Sequence, residues 1–231
     1  MARKKSSIRS IRRNELSRAA FIAVVRYGLR GTTLEKVGEL AGVSKGVVLH
    51  HFKDKSALLE AVFRRSNALL SESVVELYKH ANSPYERLWA IVFGNFFDTI
   101  FNRRVCQAWV SLISEVPHSK QCQRIQSIYS ARIRSNLKHE LRHFLSEEDC
   151  DRVTMQLALL IDGIWVRGGL SAEKIDSSIA ISEMEYAISK MLPNDSISVK
   201  KHQDAKRRME TIASLVLNSK AFQEKSLQAG E

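Results

Sequence analysis

The segment from Thr32 to His51 most strongly limits what this chain can fold into, because it predicts two short helices separated by a tight turn. Thr32 and Glu35 have the spacing of a capping box, which starts a helix. Gly42 supplies the positive φ angle that a sharp bend between helices requires, and Ser44 can cap the following helix. Two helices of about eight residues joined in this way have the proportions of a helix-turn-helix motif.

The apolar residues of this motif predict which side chains face inward. Six of them can seal a small core: Leu34, Val37, Leu40, Val43, Val48 and Phe52. The pattern leaves a second set facing outward: Lys45, Gly46, Val47, His50 and His51. Lysine can reach guanine acceptors or phosphate, and valine can contact a thymine methyl group. Because Gly46 lowers the stability of the second helix, we expect a phosphate or a base edge to approach its backbone.

Basic residues concentrate around the motif. Up to Arg65 the chain has 15 basic and 5 acidic residues, so this part carries +10 of the formal net charge of +11. Such asymmetry favours a polyanion-binding head on a near-neutral body. The expected DNA backbone contacts are Thr33, Ser44, Lys53, Lys55, and Arg12 from the N-terminal basic run. Any one charge is also compatible with a solvated surface, so the prediction of DNA binding depends on the assembled pattern.

Helical periodicity extends over the rest of the chain, and 3 Pro in 231 residues favour long helices. We therefore predict an all-α protein, with a three-helix helix-turn-helix domain followed by a helical bundle. The expected helices are 10–27 (stopped by Gly28), 32–41, 44–51, 54–80, 84–102, 105–114, 119–144, 147–170, 176–192 and 199–228. The expected domains are 1–65 for DNA binding, 66–195 for ligand binding and dimerisation, and 196–231 as a helical extension.

Other features argue against several classes of protein. Cys106, Cys122 and Cys150 form no C-x-x-C motif, which disfavours a zinc ribbon or a disulfide framework and suits a reducing cytoplasm. The longest apolar stretch, 157–166, contains Asp162 and is shorter than the ~20 residues that a membrane span needs. The basic N-terminus lacks the apolar core of a signal peptide. We expect a cytoplasmic protein with no membrane contact, no metal and no cofactor.

The chain resembles the TetR family of transcriptional regulators over most of its length. Thr33–Phe52 and the following Lys53–Leu59 look like the family's turn and the block that adjoins it. Ala108–Trp109 and Leu160–Arg167 are similar to the body of BetI-type regulators, and the likeness covers about residues 8–195. His51 departs from the pattern, because the family usually has a phosphate-contacting tyrosine at this place.

This resemblance implies an all-α homodimer that represses transcription from double-stranded operator DNA and holds an inducer pocket in its body. BetI-type members sense choline and repress the genes that convert choline to glycine betaine. The family pairs through its last two body helices, which are predicted here at 147–170 and 176–192. A TetR-like regulator of a different small molecule, an activator and a dimer with little DNA sequence specificity are alternatives.

Aromatic residues are suited to hold choline, since a quaternary ammonium has no hydrogen to donate and binds to aromatic faces. The candidates are Trp109, Trp165, Phe97 and Phe101, with Asp162 as an anionic partner. Asp162 precedes Trp165 by three residues, so both can lie on one helix face. The alternatives are that the tryptophans fill the core and that Asp162 pairs with Arg167 or with an arginine of another helix.

The segment His139-Glu140-Leu141-Arg142-His143 matches the H-E-x-x-H motif of zinc proteases, which makes a zinc metallohydrolase the alternative from another class. In such enzymes both histidines face a buried cleft and a third ligand follows. Here Leu141 belongs to the apolar stripe of the helix, so His139 and His143 are expected to face solvent. Lys138 and Arg142 add positive charge beside a would-be dication. We therefore expect no enzyme and no catalytic residue.

Overall fold

The computed structural model describes residues 2–225, with side chains from 11 to 223. These residues contain no β-strand, which confirms the all-α prediction. The N-terminal helices are α1 (Ala2–Gly31), α2 (Leu34–Leu40), α3 (Lys45–His51) and α4 (Lys55–Tyr78). The body contains α5 (Pro84–Phe96), α6 (Arg103–Ile113), a 3₁₀ turn (Val116–His118), α7 (Lys120–Leu141), α8 (Glu147–Leu170) and α9 (Ser177–Met191). They are followed by α10 (Ser196–Leu217) and α11 (Lys220–Lys225).

The helices from α2 to α10 each begin at a polar side chain that accepts a hydrogen bond from a backbone N–H of the first turn. In chain order these caps are Thr33, Ser44, Asp54, Ser83, Asn102, Ser119, Ser146, Asp176 and Asp195. The first N–H groups of a helix have no partner inside it, so these contacts set where each helix starts. The expected cap at Thr32 is wrong, because this buried hydroxyl donates to the Gly28 carbonyl at 2.8 Å.

Two predicted limits near the ends of the chain are also wrong. The first helix begins at Ala2 rather than at residue 10, although Gly28 interrupts it as predicted, with a φ of 69°. The tail is not one helix over 199–228. It breaks after Leu217, where the Ser219 hydroxyl accepts a hydrogen bond from Phe222 N at 3.2 Å, and residue 228 lies outside the described part.

The helix predicted over 84–102 is too long, because it ends at Phe96. Asn102 is the cap of the next helix, and its Oδ1 accepts from Val105 N at 3.1 Å. A residue in this position has extended backbone angles and lies outside the helix that it caps. The helical periodicity continues through the connecting segment without a break, so the sequence pattern alone does not show the stop.

α4 joins the head, α1–α3, to the body. It packs against α1 on the head side and against α5, α6 and α7 in the body. Buried residues of α1, among them Leu16, Phe21 and Val24, belong to the same continuous core as those of the body helices. The head is therefore connected to the body by packed helices and not by a loose linker.

The crossing of α4 and α5 depends on Gly94. A Cβ atom at this position would lie 2.6 Å from Val74 Cγ2 and 3.0 Å from Val74 N on α4. The Ser73 hydroxyl also donates to the Gly94 carbonyl at 2.6 Å. Since α4 carries the head as well, this close approach determines how the head is oriented on the body.

α10 lies along α5 and forms part of the body. Its buried face contains His202, Ala205, Met209, Ala213 and Leu217. The His202 ring stacks on Trp89 with centroids 5.3 Å apart. Arg208 Nη1 lies 2.5 Å from a Glu86 carboxylate oxygen and 2.9 Å from the His80 carbonyl. The segment predicted as an extension thus holds the loop between α4 and α5 in place.

α8 is long and apolar enough to cross a membrane, judged by length and composition alone. About 44% of the apolar part of this helix is buried inside the protein. The core helix of a soluble protein meets the same criteria. The packing of α8 between α6 and α7 accounts for its apolar character.

Gly94→Ala is expected to lower the free energy of unfolding by about 1–3 kcal/mol, because the new methyl group must displace α4. Denaturant unfolding followed by circular dichroism measures this loss. The matched control is Gly46→Ala in α3, where the nearest atom to a new Cβ is Ser44 Oγ at 3.6 Å. This control should gain up to about 1 kcal/mol, since alanine is the better helix former. Equal losses in both variants would contradict the close crossing.

Candidate functional site

The turn between α2 and α3 has the geometry of a helix-turn-helix motif. Gly42 has a φ of 65°, as predicted. Val43 N donates to the Gly38 carbonyl at 2.8 Å, which closes the turn. Of the predicted small core, Val37, Val48 and Phe52 are fully buried, and Leu34, Leu40 and Val43 are partly buried. The two short helices therefore form a rigid unit with α1.

α3 presents an exposed face whose members are Lys45, Gly46, Val47, Leu49 and His50. Val47 is 36% exposed and Leu49 is 40% exposed. The sequence analysis misses Leu49, because an apolar residue in a short helix suggests burial. His51 is only half-buried, and its ring contacts that of His50 with centroids 5.3 Å apart. Among residues 11–223, no neighbour requires glycine at position 46, since a Cβ there would make only an ordinary contact with Ser44 Oγ at 3.6 Å.

Lys45 forms an ion pair with Glu35 across the two helices of the motif. Lys45 Nζ lies 2.5 Å from Glu35 Oε1, and both side chains are about half exposed. The hydrogen bond from Lys45 lowers the pKa of Glu35 to about 2, with help from backbone N–H groups and Thr33. The ammonium has three N–H donors, so another acceptor has to share Lys45 with this carboxylate or displace it.

Arg13 on α1 holds the end of α3. Its guanidinium lies 4.6 Å from the centre of the Phe52 ring. Arg13 Nη1 also donates to the His51 carbonyl at 3.4 Å. A cation is favourable at this end of a helix, where carbonyl groups lack partners. The sequence gives no local signal for this contact, because Arg13 is 38 residues away from His51.

The predicted phosphate-binding residues differ in whether their side chains are available to contact DNA. Lys53 is exposed, and the hydroxyls of Thr33 and Ser44 can still donate while they cap their helices. Arg12 forms an exposed ion pair with Glu15 at 2.7 Å. Lys55 is positioned differently from the prediction. Its Nζ donates to the Leu29 carbonyl at 3.0 Å, so it ties the start of α4 to the end of α1.

A narrow cavity of about 20 Å³ lies where the head meets the body, which is room for about one water molecule. It is lined by Phe21 of α1, by Ser66, Leu69 and Leu70 of α4, and by Thr99, Ile100, Val105, Trp109 and Trp165. A concave and mostly apolar lining is typical of small-molecule sites. The sequence analysis misses Phe21 and the α4 residues, because periodicity indicates burial but not which part of the core stays unfilled.

Two of the predicted aromatic ligand residues, Trp109 and Trp165, line this cavity, and Phe101 packs against Trp165 outside the lining. The ring centroids of Trp109 and Trp165 are 5.5 Å apart at an angle of 45°, and Phe101 meets Trp165 edge-on at 5.2 Å. Within the described part of the chain, the indole Nε1 atoms of Trp109 and Trp165 are buried without a hydrogen-bond partner. A buried N–H without a partner is costly, so these atoms favour a ligand that carries an acceptor.

Phe97 and Asp162 lie apart from the cavity lining. Phe97 ends α5 and is partly buried. Burial raises the pKa of Asp162, and Arg134 on α7 partly opposes this effect. Asp162 in turn contributes, after burial, to the raised pKa of Tyr129 on α7, whose hydroxyl donates to Asn95 Oδ1 at 3.2 Å. The half-buried carboxylate therefore belongs to a polar region near α7 and is not part of the cavity wall.

The H-E-x-x-H segment lacks the geometry of a protease. Glu140 is 1% exposed, and its Oε2 lies 2.8 Å from Arg87 Nε in a buried ion pair. His139 and His143 are both exposed. A general base must reach a water molecule beside the metal. Glu140 instead joins α7 to α5, and the segment forms no catalytic cleft.

The outer faces of α8 and α9 carry large apolar side chains that are exposed in the single chain. They are Met155, Leu159, Leu170, Ile179 and Tyr186. Leu159 is 62% exposed and Tyr186 is 64% exposed. A group of exposed apolar residues on adjoining helices is typical of a protein–protein interface.

Two family models match the chain in agreement with this architecture. Residues 17–62 match the bacterial regulatory proteins of the tetR family, which covers α2, α3, the second half of α1 and the first third of α4. Residues 84–193 match the C-terminal domain of BetI-type transcriptional repressors, which covers α5–α9. The first match lies over the exposed face of α3, and the second includes Trp109 and Trp165.

Curated relatives and solved structures give the same result. The HTH-type transcriptional regulators BetI of Klebsiella pneumoniae (strain 342) and Escherichia coli (strain K12) are each 36% identical over 193 and 194 residues. These matches cover 82% and 83% of this chain and 98% and 99% of the relatives. A TetR transcription regulator from Haloarcula marismortui shares the fold with a TM-score of 0.70, at 20% identity over 80% of this chain and 100% of that structure.

The helix-turn-helix head and the helical body agree with these relatives, which are transcriptional regulators and not enzymes. The chain belongs to the TetR family of DNA-binding transcriptional regulators, with a C-terminal domain of the BetI repressor type.

Proposed function

We propose that this repressor acts in the cytoplasm as a homodimer and is released from its operator by choline. The observation that carries the proposal is the cavity at the junction of head and body, which combines Trp109 and Trp165 with Phe21 of the head. An occupant of this cavity would contact α1 and α4 directly. α1 packs on α2, α2 packs on α3, and Arg13 of α1 contacts the end of α3, so the ligand has a short mechanical path to the DNA-binding surface.

The exposed face of α3 is suited to the major groove. Lys45 can bind guanine acceptors or phosphate in addition to Glu35 or in its place, and Val47 and Leu49 can contact thymine methyl groups. The open space at Gly46 lets a phosphate or base edge approach the backbone closely. Lys53, Arg12 and the hydroxyls of Thr33 and Ser44 would bind the DNA backbone, with His50 and His51 beside them.

We assign dimerisation to the apolar faces of α8 and α9. In a two-fold dimer the same faces pair with each other, which buries Leu159 and Tyr186 of both protomers. The two α3 helices would then have to lie ~34–36 Å apart to reach successive major grooves. A ligand that changes this spacing weakens operator binding, through a coupling of about 1–3 kcal/mol.

Choline suits the aromatic lining of the cavity, and the cavity would have to widen to admit it. Its quaternary ammonium would bind to the faces of Trp109 and Trp165, with Phe101 backing Trp165. Its hydroxyl oxygen could accept a hydrogen bond from an indole N–H that is otherwise without a partner. Asp162, which lies near α7, would act on the cation through its field and not through direct contact, and Phe97 would support the end of α5.

The assignment of base and phosphate contacts can be tested with gel shifts on operator and scrambled DNA over a range of salt concentrations. Lys45→Ala should reduce discrimination between the two DNAs, because it removes a base contact. Lys53→Ala should weaken binding to both DNAs alike and lower the salt slope by about 1, as expected for a lost phosphate contact. Equal losses on both DNAs for Lys45→Ala would refute its role in base recognition.

The inducer can be tested by thermal unfolding with choline, betaine and carnitine. At a choline concentration of about 100 times Kd, the melting temperature should rise by about 5–10 °C. Trp165→Phe keeps an aromatic core residue but offers a weaker face to a cation, so it should reduce this rise. Operator binding should weaken in parallel. The matched control is Trp89→Phe, in α5 and outside the cavity lining, which should leave the choline response intact.

If millimolar choline changes neither the melting temperature nor operator binding, the choline assignment fails. A response to betaine, carnitine or another small molecule at the same cavity would then identify a regulator with a different inducer. In either case the family and the helix-turn-helix head would stand.

A further inference from the structure

Three side chains with metal-binding atoms lie together at the end of α7. His139 and Glu140 belong to its last turn, and His143 lies in the turn that leads to α8. One donor atom from each lies within 4.8 Å of the other two. Two atoms bound to one ion at ~2.1 Å can be at most ~4.2 Å apart. Small side-chain rotations would therefore bring all three onto one ion.

The two imidazoles are free to make such rotations because both are exposed. Their ring centroids are 6.1 Å apart, as expected for side chains four residues apart on a helical turn. A solvent-facing pair also lets water molecules fill the remaining coordination positions.

Glu140 provides a fixed third donor. Its Oε2 is held by Arg87 Nε at 2.8 Å, while the carboxylate keeps lone pairs that this contact does not use. Outer partners of this kind orient a metal ligand before the ion arrives. The buried carboxylate thus forms the floor of the cluster, and the imidazoles can close over it.

Some charges near the three side chains favour a bound cation and one opposes it. The carbonyl groups at the C-terminal end of α7 favour a cation, and the Lys138 ammonium is already paired with Asp151. Arg142 lies between the two histidines in the sequence and is exposed, so its charge opposes a cation. Because an exposed charge is screened by solvent, this opposition weakens binding without preventing it.

We propose that His139, His143 and Glu140 form a surface site for one divalent transition-metal ion such as Zn²⁺. Two imidazoles with a carboxylate suit Zn²⁺, Ni²⁺ or Cu²⁺ and not Ca²⁺ or Mg²⁺, which prefer oxygen ligands. The site differs from the sequence-based expectation of no metal, and it binds an ion without catalysis. It is independent of the operator and choline proposals. A bound ion would link the last turn of α7 to the turn before α8.

Isothermal titration of the full chain with Zn²⁺ tests the site. One ion should bind per chain, with a saturable isotherm. His139→Ala and His143→Ala should each lower the affinity at least about tenfold. Arg142→Gln should raise it, since the opposing charge is removed.

His118→Ala is the matched control, because this histidine is also exposed but lies in the 3₁₀ turn before α7. It should bind Zn²⁺ as tightly as the unchanged chain. The proposal is overturned if the unchanged chain shows no saturable binding, or if His143→Ala binds with unaltered affinity. Circular dichroism of each variant should show the same helix content, since the substituted side chains are exposed.

Discussion

The packing of α4 on both head and body is the constraint on which the rest of the structure depends. α4 starts at the Asp54 cap, passes the cavity at Ser66, Leu69 and Leu70, and crosses α5 at Gly94. It contains no break along these 24 residues. A shift of the body end of α4 therefore moves its head end, where Lys55 is tied to the end of α1. Because α1 packs on α2 and α2 packs on α3, the orientation of α3 depends on α4 through α1.

The apolar walls that would hold a ligand and the excess positive charge of the protein lie in different places. Its walls are apolar, while the excess positive charge lies in the head. Asp162, whose pKa is raised by burial, lies beyond the aromatic residues near α7. A raised carboxyl pKa means that the charged form is disfavoured in the folded state, so this group lowers stability as the pH rises through its range. A cation bound nearby would relieve that cost.

Local rules account for the parts of the fold that the sequence predicts well. Caps such as Ser44 and Asp54, and the positive φ of Gly42, act within a few residues, so the head could be located from its sequence. The aromatic residues around Trp165 could also be assigned from the sequence to one candidate ligand site. The contacts of Arg13, Lys55 and Asp162 could not be predicted, because each joins helices that are far apart in the chain. A helical wheel shows which face is buried but not the neighbour that it meets.

The ion pair between Lys45 and Glu35 has a consequence for how the head would search DNA. In the free protein Glu35 occupies the position of an anionic ligand, so any phosphate or base must compete with it. A poorly placed acceptor gains little by the exchange, because it replaces one partner of the ammonium by another. A well-placed guanine gains directional hydrogen bonds in addition. If Lys45 reads bases as proposed, the internal carboxylate would lower the affinity for random sequence more than the affinity for the operator, which would favour sliding over trapping at wrong sites.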